Sequence, residues 1–192
     1  MRLWNRIKNQ SFSKLAILAY NILRIPLLKM LHHGHFIAAI IQNIHPSTEI
    51  SVCGGGTLEL SHSVFTRRCV SLRASGGQMK IGTCFFNQGC SITCLKRIEI
   101  GDNCLFGPNV VIVDHDHDYH FINTKRGSEY ICKDVTIGEN VVVGANTVIL
   151  KGSIIGDNAM IGAGSIVSGV VPANSIYYGK HEKVQRSLLD KA

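Results

Sequence analysis

The sequence predicts an all-β solenoid with a helical segment in front of it. Three observations carry that prediction. From residue 137 onward a large aliphatic returns at every sixth position, as Ile137, Val143, Ile149, Ile155, Ile161 and Val167. A small residue follows directly at Gly138, Gly144, Gly156 and Gly162, with Leu150 and Ser168 as the exceptions. Four residues after each aliphatic stands a small or β-branched side chain: Val141, Thr147, Ser153, Ala159, Ser165 and Val171. A period of six suits neither a helix nor a strand that only alternates. It suits short strands wound into a coil, with the aliphatic inside, the small residue at a corner, and stacked coils satisfying one another's backbone hydrogen bonds.

Residues 1–45 read as an N-terminal amphipathic segment of one or two helices, with Pro26 ending or kinking the second. The apolar run from Leu15 to Leu31 is interrupted by Asn21, Arg24, Pro26 and Lys29, which argues against a membrane span. Two roles stay open for the segment: a cap packed on the solenoid, and a basic helix making peripheral contact with a membrane surface. The solenoid is expected over residues 46–179. Its first coil is placed near residue 46, its repeat is ragged up to "MKIGTCFFNQGCSI", and its register is clear from Ile100 to Ile112. Ile137 stands twenty-five positions after Ile112, one more than four steps of six. A loop insertion at 113–134 is therefore expected, carrying "VDHDHDYH" and the polar, turn-rich "FINTKRGSEYICKD". Residues 180–192 form a tail.

Charged residues are 17% of the 192 and apolar ones 45%, which excludes a chain disordered through low hydrophobicity. A net charge of +7 favours anionic partners. Aromatics are few and no zinc-finger or single-strand RNA signature occurs, so nucleic acid is not an expected partner. The seven cysteines are odd in number, include no Cys-x-x-Cys, and follow no cleavable signal. They read as buried free thiols of a cytoplasmic protein, at the inner membrane face if the N-terminal segment meets lipid.

The run "IGENVVVGANTVILKGSIIGDNAMIGAGSIV" resembles the hexapeptide-repeat acyltransferases, and among them the sugar O-acetyltransferases of the galactoside, maltose and capsular polysaccharide type. The likeness extends from about residue 50 to residue 186. It implies a left-handed parallel β-helix of triangular section, a homotrimer with active sites between subunits, acetyl-CoA as co-substrate, a saccharide acceptor, and no required metal. It also implies a histidine general base on a projecting loop. The segment "PNVVIVDH" matches the family stretch that ends in that base, which assigns the role to His115. Asn87 in "FFNQGCSI" matches an asparagine on the acceptor. Gly144, Ala145, Gly162 and Ala163 match positions along the pantetheine arm, and Ser168, Lys183 and Arg186 match positions near the nucleotide of CoA. Three departures stand out: Val142 where many members have tryptophan, Gly169 where some have lysine, and a closing "YYGKHEKVQR" without Gly-Val-Pro.

The chemistry fits the residue types. Histidine titrates near neutrality and can take the proton of an attacking hydroxyl. Asp114 and Asp116 are the neighbouring carboxylates able to hold its productive tautomer, with Asp114 assigned to the catalytic group and His117 to the acceptor. Two other readings stay open. γ-Class carbonic anhydrases resemble this fold and bind metal through three histidines; His115 and His120 have the spacing of their loop pair, but no histidine lies between Ile81 and Cys94. A non-catalytic β-helix scaffold would need neither the histidine-rich loop nor the glycines of the later coils.

Overall fold

The computed structural model describes residues 2–118 and 130–179, with residues 2–14 described through their helical backbone alone. The predicted class is what the chain forms: one N-terminal helix, Arg2–Leu31, followed by a parallel β-solenoid of about seven turns. Pro26 lies inside the helix without ending it. The helix stops where His33 and Gly34 take positive φ, 44° and 86°. That is the left-handed conformation that commonly ends a helix.

The solenoid is triangular in section, with three parallel sheets as faces. The first face has seven strands, beginning at Phe36–Ala38; the second and third have six each. Phe36 pairs with Leu58, so the coil starts ten residues before the position read from the sequence, directly after the helix. A fourth, two-stranded sheet is an antiparallel hairpin of His115–His117 with Tyr130–Cys132, standing off the coil between Val113 and Val135.

Register partners give the length of each coil. Leu58 faces Met79 and Phe65 faces Phe85, steps of 21 and 20 residues. After the hairpin Val142 faces Met160 and Val148 faces Ile166, both steps of 18. Three strands in 18 residues make the period of six, so the repeat is visible where coils have that length. Across the hairpin the step is 37, from Leu105 to Val142.

Inside, each column is filled as the pattern requires. Ile137, Val143, Ile149, Ile155, Ile161 and Val167 are buried, and so are Val141, Thr147, Ser153, Ala159, Ser165 and Val171 four residues on. Phe86 and Phe106 stack between successive coils with centroids 4.6 Å apart. One corner turns largely on asparagine rather than on the glycine after each aliphatic: Asn103, Asn140, Asn158 and Asn174 occupy it with φ of 55–59°. At the next corner Cys69, Gly89, Asn109, Asn146 and Gly164 take φ of 57–73°. Asparagine amides form ladders, Asn140 Nδ2 donating to Asn158 Oδ1 at 3.3 Å and Asn158 Nδ2 to Asn174 Oδ1 at 3.0 Å. The glycines meet a different need, because a Cβ on Gly101 would stand 2.7 Å from the Gly138 carbonyl oxygen. They let one coil lie on the next.

The thiols divide. Cys84, Cys90, Cys94 and Cys104 are buried as expected, but Cys53 and Cys69 are exposed and Cys132 is half-buried; all seven are free.

Candidate active site

The hairpin leaves the corner between the third and first faces, where Val113 ends its strand and Asp114 turns inward. Asp114 has no exposed surface. Its carboxylate accepts the backbone N–H groups of Leu95, Lys96 and Arg97 from the preceding coil, at 2.9, 2.6 and 2.9 Å. Burial alone would raise its pKa; the N–H groups of Leu95 and Lys96, then His115 and the Cys94 thiol, outweigh that and hold it below the usual carboxylate value. The group is a fixed buried anion.

That anion faces His115, whose Nδ1 lies 3.0 Å from Asp114 Oδ1. With Nδ1–H donating to the carboxylate, the lone pair sits on Nε2. The hairpin register sets the rest of the site: His115 opposes Cys132, Asp116 opposes Ile131, and His117 opposes Tyr130. Alternation along a strand sends His115, His117, Tyr130 and Cys132 to one side and Asp116 to the other. The Tyr130 ring stands edge-on to His115 at 5.3 Å and tilted against His117 at 4.8 Å. Tyr130 was not singled out in the sequence, since only pairing across a 12-residue gap brings it to the histidines.

The hairpin is tied at both limbs. Lys151, one coil on, forms an ion pair with Asp116. Lys96, one coil back, lies 2.8 Å from Asp134.

The other assigned residues fall into two groups. Ser168 is exposed on the same corner as His115, two coils further on. Asn87, Gly144, Ala145, Gly162 and Ala163 all lie on the next corner, between the second and third faces. One chain therefore keeps His115, Asp114 and His117 apart from Asn87 and the small residues. Asn87 is half-buried, its N–H bonded to the Phe106 carbonyl at 3.0 Å and its Oδ1 accepting the Gln88 N–H at 2.8 Å. The N–H groups of Gly144 and Gly162 already donate to Ile161 and Tyr177, each at 2.7 Å. Their missing side chains make room for the next coil: a Cβ on Gly144 would stand 2.4 Å from the Ala163 nitrogen, and one on Gly162 3.1 Å from the Tyr178 Cβ. His120, Lys183 and Arg186 lie outside the described residues. Among the described residues no group of three or more His, Cys, Asp or Glu side chains could hold a metal ion.

Comparison with known proteins agrees with the repeat. Residues 131–169 match the model of the bacterial transferase hexapeptide (six repeats), and residues 97–113 match the hexapeptide repeat of succinyl-transferase. The chain is 41% identical over 133 residues to a galactoside O-acetyltransferase of Lactococcus lactis, covering 69% of this chain and 64% of that one. It is 38% identical over 117 residues to the galactoside O-acetyltransferase of Escherichia coli, covering 60% and 57%. The match thus spans less than two thirds of the length of these relatives. A maltose O-acetyltransferase from Clostridium difficile superposes with a TM-score of 0.53 at 26% identity, covering 79% of this chain and 69% of that one. On its coil register and its two matched segments, the chain carries the hexapeptide repeat of bacterial transferases, and over that repeat it is similar to the sugar O-acetyltransferases.

Proposed function

We propose that the protein moves an acetyl group from acetyl-CoA to a hydroxyl of a saccharide, by direct transfer, with His115 as general base. The observation that carries this reading is the dyad: a buried, ionised Asp114 fixed by three backbone N–H groups and bonded to Nδ1 of His115. Asp114 holds the tautomer that leaves Nε2 free to accept a proton, and it stabilises the imidazolium that results. As the acceptor oxygen attacks the thioester carbonyl, its proton passes to Nε2. When the carbon–sulfur bond breaks, that proton is the one available to the departing CoA sulfur. His117 and Tyr130 form the ring surface beside the base on which a sugar would rest.

Direct transfer is supported by the state of the nearby thiols. Burial, then the Asp114 charge, pushes the pKa of both Cys94 and Cys132 up, so neither is a thiolate nucleophile at neutral pH. The division of the site between two corners supports a second copy completing it. An apolar column on the outer side of the second face, Phe65, Phe85, Leu105, Val142, Met160 and Ile176 in register, offers a surface for copies to pack. A homotrimer closes such contacts around a threefold axis. Acceptor groups from Asn87 and the small residues of one subunit would then face the His115 dyad of its neighbour.

The test is CoA release from acetyl-CoA over a panel of saccharides, with the product identified by mass. Release is expected to need a saccharide and to fall by about 10²–10⁴ in His115→Ala. Release undiminished in that variant would move the base elsewhere. Absence of both acetyl-CoA binding and release would reject the transferase reading.

A further inference from the structure

The N-terminal helix has two apolar faces, and the solenoid covers one. Asn21 and Ile25 are fully buried and Leu28 packs on the core. Two side chains pin this face to the first coil: Asn21 Nδ2 donates to the Ile44 carbonyl at 2.7 Å, and Arg24 Nη2 donates to the Thr48 carbonyl. At about 100° per residue, Leu23, Leu27, Met30 and Leu31 fall on the opposite side. They are 78%, 51%, 66% and 59% exposed, and Ile40 and Ile41, just beyond the first strand, are 53% and 66% exposed. A helix used only as a cap has no need of that second face.

Charge identifies what covers it. Residues 1–48 hold six lysines and arginines (Arg2, Arg6, Lys8, Lys14, Arg24, Lys29) and no aspartate or glutamate. The remaining residues hold fourteen basic and thirteen acidic side chains, so nearly all of the net charge of +7 belongs to this segment. Six positive charges in a stretch without a carboxylate oppose the packing of one such helix against a second copy, whereas anionic headgroups attract them. No described helix is long and apolar enough to cross a membrane. From the outward apolar face together with this charge we infer that the N-terminal helix lies flat on an anionic lipid surface, with Leu23, Leu27, Met30 and Leu31 among the acyl chains. The inference is independent of the acyl-transfer reading.

Flotation of the full chain with vesicles tests it, using phosphatidylcholine alone and phosphatidylcholine mixed with phosphatidylglycerol. The protein is expected to float with the anionic vesicles at low salt, to be released by high salt, and to float weakly with the neutral ones. Leu23→Ser/Leu27→Ser/Met30→Ser replaces apolar groups that are more than half exposed, and is expected to lower vesicle partitioning by at least about tenfold. Its circular dichroism and sedimentation mass should stay those of the wild type. Failure of the wild type to float, equal flotation by the variant, or a change of the variant's mass pointing to contact between copies would each overturn the inference.

Discussion

A carboxylate with no exposed surface stays ionised only if the protein replaces its water, and Asp114 shows how that is done. Three backbone N–H groups of one preceding corner converge on it, and His115 and the Cys94 thiol approach it besides. Replacing Asp114 by alanine leaves those N–H groups buried without an acceptor, and is expected to destabilise the fold by about 2–4 kcal/mol in denaturant unfolding. The pH dependence follows from the lowered pKa. The folded value lies below the unfolded one, so the stabilisation is complete above the unfolded carboxylate pKa of about 4 and is lost as pH falls further. Asp114→Asn should therefore show a shallower loss of stability below pH about 4 than the wild type, measured by acid titration of the unfolding midpoint. At this scale the sequence was legible in part. "VDHDHDYH" places both Asp114 and Asp116 beside His115, and the assignment to Asp114 depends on which one points inward. Asp114 turns into the corner; Asp116, two residues on along a hairpin strand, turns out to Lys151. Tyr130 gave no sequence signal because its neighbours are set by hairpin register.

Among the elements, the coil corners divide their labour between residue types. Glycine after the aliphatic permits close approach, and asparagine or glycine two residues later supplies the positive φ. Two substitutions separate these needs. Gly101→Ala forces a Cβ against the backbone of the next coil and should cost about 1–3 kcal/mol. Asn140→Gly keeps the left-handed conformation and loses only an exposed amide contact, so it should change stability by no more than about 0.5 kcal/mol. Thermal unfolding of the two variants distinguishes them. The hairpin is held by ion pairs to coils on either side, and Lys151→Ala should raise KM or lower kcat for acetyl transfer while the solenoid melts unchanged. The elements were legible in proportion to coil length. Coils of 18 residues display the six-step repeat openly, and upstream coils of 19 to 22 blur it. The first strand, Phe36–Ala38, was hidden because three residues at the foot of a helix carry no period at all.

For the whole molecule, the arrangement of the three faces decides how the site is completed. His115 and Asp114 stand at one corner of the triangular section, while Asn87, Gly144 and Gly162 stand at the next. No sequence periodicity reports that separation, because strands on all three faces share one repeat. The proposed sharing of the site between copies makes two inactive variants complementary. His115→Ala keeps Asn87 and the small-residue corner, and Asn87→Ala keeps the dyad. Unfolding and reassembling the two together in equal amounts, then measuring CoA release from acetyl-CoA with an accepted saccharide, tests the account most directly. Random mixing in a closed ring gives about one quarter of interfaces an intact His115 opposite an intact Asn87. The account predicts recovery of about one quarter of wild-type activity from parents that each lack it. Activity of the mixture no greater than the average of the two parents would contradict it.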